Sequence, residues 1–388
     1  MTFVVPCLLG LEGLIAEELR AMEAENVRAE NGRVFFEGDF ALLARANLCC
    51  RYAERVQIEL GAFEAKSFEE LFQGTKALPW EEWIALRDAF PVKGYSLNST
   101  LFSVSDCQAI IKKAVVERLK IAYHHPEHGK QNDRNRQLVS SSPQVWFEET
   151  GAVHQIQFSI MKDQVILALD TSGAGLHKRG YRLQAGDAPL KETLAAALCK
   201  ISRLRPWHTL YDPLCGSGTI LIEGALMARG AAPGLHRNFS AERWAQIPGE
   251  IWRRERERAQ SLEQPAPEFH AYGSDISSNA LALARENAAR AGMADCIEFR
   301  QADVKDFAPA TERGTLITNP PYGERLLDQQ QADALTALMG RVFQPRKGWS
   351  YTVLSPAEDF EQRFGRKADA RRKLYNGMLK CQAFMYYK

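Results

Sequence analysis

The chain has 388 residues, 45% of them hydrophobic and 25% charged, with 49 Lys and Arg against 48 Asp and Glu. That length holds two or three domains with buried cores, and that composition excludes global disorder. No run of about 18 uncharged apolar residues occurs. The opening MTFVVPCLLGLEGLIAEELR lacks a basic, apolar, small-residue leader, so a soluble, cytoplasmic protein is expected, neither secreted nor membrane-spanning.

Eight cysteines (Cys7, Cys49, Cys50, Cys107, Cys199, Cys215, Cys296, Cys381) are scattered without a C-x-x-C pair and read as reduced core thiols. His124, His125 and His128 lie in the polar loop HHPEHGKQNDRNR without a partner cluster, and no metal is expected. Charge is uneven: residues 1–66 carry 7 Lys/Arg against 11 Asp/Glu, residues 67–170 carry 11 against 13, and residues 171–388 carry 31 against 24. An anionic polymer, if one is bound, meets the C-terminal half. Solvated basic faces also account for so modest a surplus.

In chain order, residues 1–66 give a strand (TFVVPCLL), a helix with Leu14, Ile15, Leu19 and Met22 at helical spacing, and a strand closed by a turn (GRVFFEG), a small α+β unit. Residues 67–170 give a helix (FEELFQGTKAL), a strand (YSLNSTLF), a helix carrying Ile110, Ile111, Ala114, Val115 and Leu119, and the strands VWFEE, VHQIQFSIM and VILALD, a second α+β module. From about Leu194 strands alternate with helices: HTLYD, HAYGSD, CIEFRQAD, TLITN and WSYTVLS. This predicts a parallel, doubly wound α/β sheet. The ending RKLYNGMLKCQAFMYYK, with Asn376-Gly377 between two strand-like runs, predicts an antiparallel hairpin at its edge.

The sharpest local signal is YDPLCGSGTILIEGALMA. A strand ends at Asp212, a glycine turn follows, and a helix begins near Thr219. Gly216 and Gly218 tolerate positive φ and let a ligand approach the backbone, while the helix N-terminus offers free amides. The run G-S-G-T-I lacks the lysine of a P-loop. Leu221 stands where a dinucleotide fingerprint needs its third glycine. Asp275 and Asp303 each end a predicted strand, where open α/β sheets bind ligands. One suits ribose hydroxyls and the other an adenine amine. Singly each reads as a helix cap; in order, with the glycine turn, they describe an adenosine-shaped pocket.

After the fourth of these strands comes Asn319-Pro320-Pro321-Tyr322-Gly323. Two prolines fix φ and withhold N–H donors, leaving carbonyls free to accept. Asn319 adds an acceptor and Tyr322 a flat face. The set suits a planar base with an exocyclic amine, a poor nucleophile because its lone pair is delocalised. Accepting its hydrogens at the Asn319 side chain and the Pro320 carbonyl aims that lone pair at an electrophilic methyl, so positioning and preorganised dipoles suffice. N-P-P-Y-G is also a plausible rigid turn.

DPLCGSGT, GSDIS, QAD and NPPYGERL, in this order, resemble the class I S-adenosylmethionine-dependent methyltransferases of the N-P-P-Y subtype. DTSGAGLHKRGYR followed by APLKETLAAALC resembles, more narrowly, the ribosomal RNA large subunit guanine-N2 methyltransferases that carry a THUMP domain. The resemblance covers roughly residues 40–388. It implies a ferredoxin-like region (1–66), a THUMP RNA-binding module (67–170) and a Rossmann-like class I catalytic domain (171–388) acting on guanine N2 in 23S ribosomal RNA. Asp212, Gly216 and Gly218 then line the methionine side of S-adenosylmethionine, Asp275 its ribose and Asp303 its adenine. Pro213, Cys215, Ser217, Thr219, Ile276, Val304 and Asn319 complete the cofactor set. Asn319, Pro320, Pro321 and Tyr322 hold the target amine. Lys178, Arg179, Tyr181 and Arg182 lie near the domain entrance, where basic and aromatic groups meet RNA; an ordinary linker with a solvated basic face reads the same way. In the acidic N-terminal modules any RNA patch is local, around Lys112, Lys113, Lys120, Lys130, Arg134 and Arg136.

Asp212 and Asp275 are 63 residues apart, where a simple βαβ unit needs about 30. The excess, RNFSAERWAQIPGEIWRRERERAQSLEQPAPE, is an amphipathic helical insertion that packs on the sheet or contacts RNA; its alternating charges mean solvated helix surface. Some bacterial relatives fuse a second methyltransferase after this one; here the sequence stops at its hairpin, so one activity is expected. Rival readings are a transfer-RNA guanine-N2 or nucleic-acid adenine-N6 methyltransferase, a protein glutamine methyltransferase, and an inactive RNA-binding ribosome assembly factor. No obligate protein partner is expected.

Overall fold

The computed structural model describes residues 1–124, 147–182, 190–266, 268–322 and 328–387. His125, His128, Lys130, Arg134, Arg136 and Gly323 lie outside the described residues.

The N-terminal part runs β1 (Thr2–Pro6), α1 (Glu12–Ala21), β2 (Glu25–Glu30), β3 (Arg33–Glu37), α2 (Phe40–Cys49), β4 (Gln57–Glu64), α3 (Phe68–Lys76), β5 (Val92–Leu97), α4 (Val104–His124), β6 (Ile156–Met161) and β7 (Gln164–Asp170). Its strands form one sheet in the order β2-β3-β1-β4-β7-β6-β5. All neighbours are antiparallel except β5 and β6. Alternation decides the faces: Phe3, Val5, Val34 and Phe36 join the core with Leu14, Ile15 and Leu19 of α1. Val4 and Phe35 point the other way.

Three elements here carry no sequence signal, for physical reasons. Edge strand β2 is exposed on both faces and shows no alternation. Helix α2 is buried nearly all round, from Ala41 to Leu48, so no 3.6-residue stripe exists to read. Strand β4 contains a bulge between Glu59 and Gly61, which interrupts its period. The strand expected at YSLNSTLF lies three residues earlier, because Asn98, at φ +51°, ends it. In the expected strand VWFEE, Val145 and Trp146 lie outside the described residues. Phe147, Glu148 and Glu149 are not strand: Phe147 packs edge-on against Phe90 at 5.7 Å, and Glu149 has φ +50°.

The C-terminal part runs α5 (Glu192–Ile201), β8 (Thr209–Asp212), α6 (Thr219–Ala228), α7 (Gly249–Ser261), β9 (His270–Asp275), α8 (Ser278–Arg290), β10 (Ile297–Gln301), β11 (Gly314–Thr318), α9 (Gln329–Val342), β12 (Trp349–Ser355), α10 (Phe360–Phe364), β13 (Ala370–Asn376) and β14 (Leu379–Tyr387). The expected architecture holds: the sheet order is β10-β9-β8-β11-β12-β14-β13, with five parallel strands and an antiparallel hairpin at the end. Central strand β11 is buried at every position, as a strand covered on both faces must be.

The insertion fastens the two halves. Helix α7 lies against α2, where Arg45 and the buried Glu255 pair at 2.9 Å. Just before it, Trp244 Nε1 donates to the Val153 carbonyl at 3.0 Å, and Gln246 donates to the carbonyls of Glu82 and Trp83. RNA contact is thus not needed to account for this segment. Arg253, Arg254 and Arg258 stay exposed on its outer side, as alternating charge implies.

The linker corrects part of the RNA expectation. Arg179 is only 4% exposed: it pairs with Glu223 of α6 at 3.4 Å and donates to the carbonyls of Leu176 and Arg51. Tyr181, also buried, donates its hydroxyl to Glu223 at 3.1 Å. Arg182 is turned inward to Thr219, Glu192 and the Leu190 carbonyl. These groups carry no RNA-facing surface, because a buried Glu223 needs counter-charge and donors. Lys178 alone of the four is exposed. Lys112 is occupied by Glu149 at 2.5 Å and by the Phe90 ring, whereas Lys113 is exposed.

Removing one partner of such a pair leaves a buried charge uncompensated. Arg179→Ala should therefore cost about 3–5 kcal/mol, read as a lower urea midpoint of tryptophan fluorescence. An unchanged midpoint would show that the pair is not desolvated in solution.

Candidate active site

Every cofactor residue expected from the sequence lies on one edge of the catalytic sheet, at the C-terminal ends of β8, β9, β10 and β11. Strand order reverses between β8 and β11: β9 and β10 continue to one side, β12 to the other. The crevice at such a reversal is where open α/β sheets bind ligands.

Gly216 and Gly218 both adopt positive φ, +50° and +78°. A Cβ on Gly218 would lie 3.1 Å from the Phe299 ring and 3.2 Å from Ala284, so a side chain there would crowd both neighbours as well. A Cβ on Gly216 would meet nothing within 4 Å, which leaves open space over that stretch of backbone. Helix α6 starts at Gly218 with no side-chain cap, so side chains leave its first-turn amides to a ligand. Asp275 ties this turn to β9: one carboxylate oxygen accepts from Gly216 N and the other from Ser277 N, both at 2.9 Å. Ser277, rather than Asp275, caps α8.

Asp212 is buried, and Thr318 Oγ1 donates to its carboxylate at 2.7 Å. Burial, with Asp275 nearby, pushes its carboxyl up to about 7 despite the bonds from Thr318 and the Leu214 amide. Asp303 caps the short turn Val304–Asp306 through Lys305 N, at 2.9 Å. That bond and the Lys305 ammonium 3.3 Å away hold its carboxyl below the usual range. Ile276 is 68% exposed beside Asp275, whereas Val304 packs into the core and offers only backbone. Burial raises the Cys215 thiol far above its ordinary value, so it is no nucleophile.

In the Asn-Pro-Pro-Tyr turn, Asn319 Oδ1 is buried and finds no hydrogen-bond partner among the described residues. Pro320 is buried beside it and Pro321 is half-buried. The Tyr322 hydroxyl accepts from Asn376 Nδ2 at 2.9 Å. Three contributors are absent from the sequence reading. Thr318 joins the turn to Asp212, Asn287 Nδ2 holds the Ser217 carbonyl at 3.1 Å, and Asn376 holds Tyr322. Thr318 was findable as the last strand residue before the turn; the two asparagines carry no local signal. Among the described residues no group of three His, Cys, Asp or Glu is placed to hold a metal ion, and no helix is long and apolar enough to cross a membrane.

S-adenosylmethionine, an adenosine carrying a cationic methionine end, fits this set. The open backbone at Gly216, the uncapped α6 and the buried Asp212 suit the charged end, and Asp275, Ile276 and Asp303 suit the nucleoside. Fold and site together define a class I S-adenosylmethionine-dependent methyltransferase. The chain belongs to the RMKL-like methyltransferase family, whose domain model matches residues 179–384. Ahead of it, an RlmL ferredoxin-like domain matches residues 2–57 and a THUMP domain residues 65–128.

Among curated relatives, "Putative RNA methyltransferase YpsC" of Bacillus subtilis is 43% identical, over 100% of this chain and 96% of its own. "Ribosomal RNA large subunit methyltransferase K/L" of Psychromonas ingrahamii is 33% identical over 98% of this chain, which spans only 49% of that protein. Two solved structures align along the whole chain. A "predicted N6-adenine-specific DNA methylase" from Listeria monocytogenes has 43% identity and TM-score 0.88, with 96% of its chain covered. "SMU.472, a putative methyltransferase complexed with SAH", has 39% identity and TM-score 0.89, with 97% covered.

A carboxyl raised in the folded state stabilises the fold while protonated, and that contribution is lost as pH rises from about 4 through 7. A cation bound beside Asp212 favours the ionised form. S-adenosylmethionine affinity should therefore rise between about pH 5.5 and 8, and Asp212→Asn should flatten the rise. Calorimetric titration across that range checks this; parallel slopes for the two proteins would refute it.

Proposed function

We propose that this chain transfers the methyl group of S-adenosylmethionine to the exocyclic N2 amine of a guanine in 23S ribosomal RNA. The observation that carries the reading is the buried acceptor of Asn319 at the reversal of strand order, which has no hydrogen-bond partner among the described residues. A desolvated acceptor without a donor costs about 1–3 kcal/mol, and a base amine offers the donor it lacks. Asn319 Oδ1 takes one hydrogen of that amine and the Pro320 carbonyl the other, drawing the nitrogen toward tetrahedral geometry. Tyr322 gives the flipped base a ring to stack on, worth about 1–3 kcal/mol. S-adenosylmethionine supplies the electrophilic methyl and leaves as S-adenosylhomocysteine, the methylated amine gives up its surplus proton to water, and the chain's residues supply position, with no strong base required.

RNA as the substrate is supported by the THUMP match and by the ribosomal RNA methyltransferase among the relatives. A second reading, adenine N6, uses the same turn and is supported by the description of the Listeria relative.

Radiolabelled S-adenosylmethionine offered with unmodified 23S RNA, transfer RNA, DNA or protein extract should label the 23S RNA alone. Nuclease digestion should then yield N2-methylguanosine. Asn319→Ala should reduce transfer by at least about 100-fold while leaving cofactor binding measurable. Label appearing as N6-methyladenine would establish the second reading, and label in transfer RNA or protein would redirect the substrate.

A further inference from the structure

Asn376-Gly377 reads from sequence as a turn dipeptide, yet the structure uses only its glycine in the turn. Asn376 is the last residue of β13 and pairs with Leu379 of β14, which leaves Gly377 and Met378 as the two-residue loop. Only Gly377 has positive φ, +65°, as a hairpin turn with glycine first requires. The Asn376 side chain is therefore free of backbone duty, and its amide donates to the Tyr322 hydroxyl at 2.9 Å. From β14, Cys381 Sγ approaches the same hydroxyl at 4.0 Å. The turn that holds the target amine thus leans on the hairpin tip.

The tip is rigidly mounted. Leu374 is fully buried in the main core. Arg372 donates to the Gly10 carbonyl in the loop between β1 and α1, at 2.9 Å. Gly10 lies so close that a Cβ there would meet the Lys373 carbonyl oxygen at 2.7 Å. On this mount Met378 is 97% exposed, with Arg371, Lys373 and Lys380 exposed on the flanking strands. Basic residues along β13 are expected of a guarded sheet edge. Edge protection does not account for a free methionine at the apex, nor for the bond to Tyr322.

Resting on the RNA reading above, we propose that the β13–β14 hairpin is a second wall of the base pocket. Asn376 is a positioning residue that fixes the Tyr322 ring. Met378 lies against the RNA beside the extruded base and fills the space it vacates. Apolar side chains fill such gaps in other nucleic acid complexes, where unstacking is the cost of access.

The test uses the full chain and a transcript containing the nucleotide that the wild type methylates. Tyr322→Phe deletes only the hydroxyl, and Asn376→Ala only its partner. Each should lower kcat about 10- to 100-fold with cofactor affinity unchanged, and the double variant should be no worse than either alone. Met378→Ala should raise KM for RNA with a paired target base about tenfold, and raise it less for a transcript whose target base is left unpaired. Additive losses at Asn376 and Tyr322, or a Met378→Ala enzyme indistinguishable from wild type on paired RNA, would overturn the assignment while leaving the methyltransferase reading intact. A wild type that methylates DNA or protein and no RNA would remove both.

Discussion

Two neighbouring parallel strands, β8 and β11, have to deliver their ends to one point, because one carries the glycine turn and the other the Asn-Pro-Pro-Tyr turn. The hydrogen bond from Thr318 to the buried carboxylate of Asp212 joins those ends directly. It also makes the ionisation state of Asp212 a property shared by both turns, since Asn319 follows Thr318 in sequence. Asp275 extends the same lattice to the glycine turn through Gly216 N. The sheet topology thus supplies the crevice, and these two polar contacts fix the positions of the loops around it.

A second polar layer lies between α6 and the linker. Glu223 projects from a helix that is otherwise apolar and buried, and the linker wraps it with Arg179 and Tyr181. Asn47, Thr171 and Ser172 repeat the theme, exchanging side-chain bonds of 2.6–2.9 Å between α2 and the start of the linker. Together with the seam at α7, these bonds set the N-terminal sheet at a fixed place relative to the catalytic turns. An RNA held by the N-terminal part would then reach the crevice along a defined path.

The sequence exposes those features that obey a simple period or a steric necessity. The catalytic sheet was legible because buried parallel strands alternate with helices, and the glycine turn because only glycine tolerates Gly218's φ beside Phe299. The hairpin was legible from Gly377, although its asparagine proved to have other work. What stayed hidden depends on long-range geometry. Arg179 and Tyr181 look like an RNA-facing basic cluster until Glu223, more than forty positions away, is known to lie beneath them. Likewise α2 shows no stripe because it is covered on several sides, and nothing local to Asn287 or Asn376 announces a partner 70 or 54 positions away.

The N-terminal sheet has an implication for how such chains diversify. The first family match ends at residue 57 and the second spans residues 65–128, yet β4, which fills the interval between them, pairs along its length with β7, beyond the second match. Genetic exchange that replaced one segment alone would have to supply a matching strand edge, bulge included, or leave the N–H and C=O groups of a strand edge unpaired. Recombination should therefore inherit the pair as one block, so that a new RNA partner is gained by drift within the block or by replacing it whole.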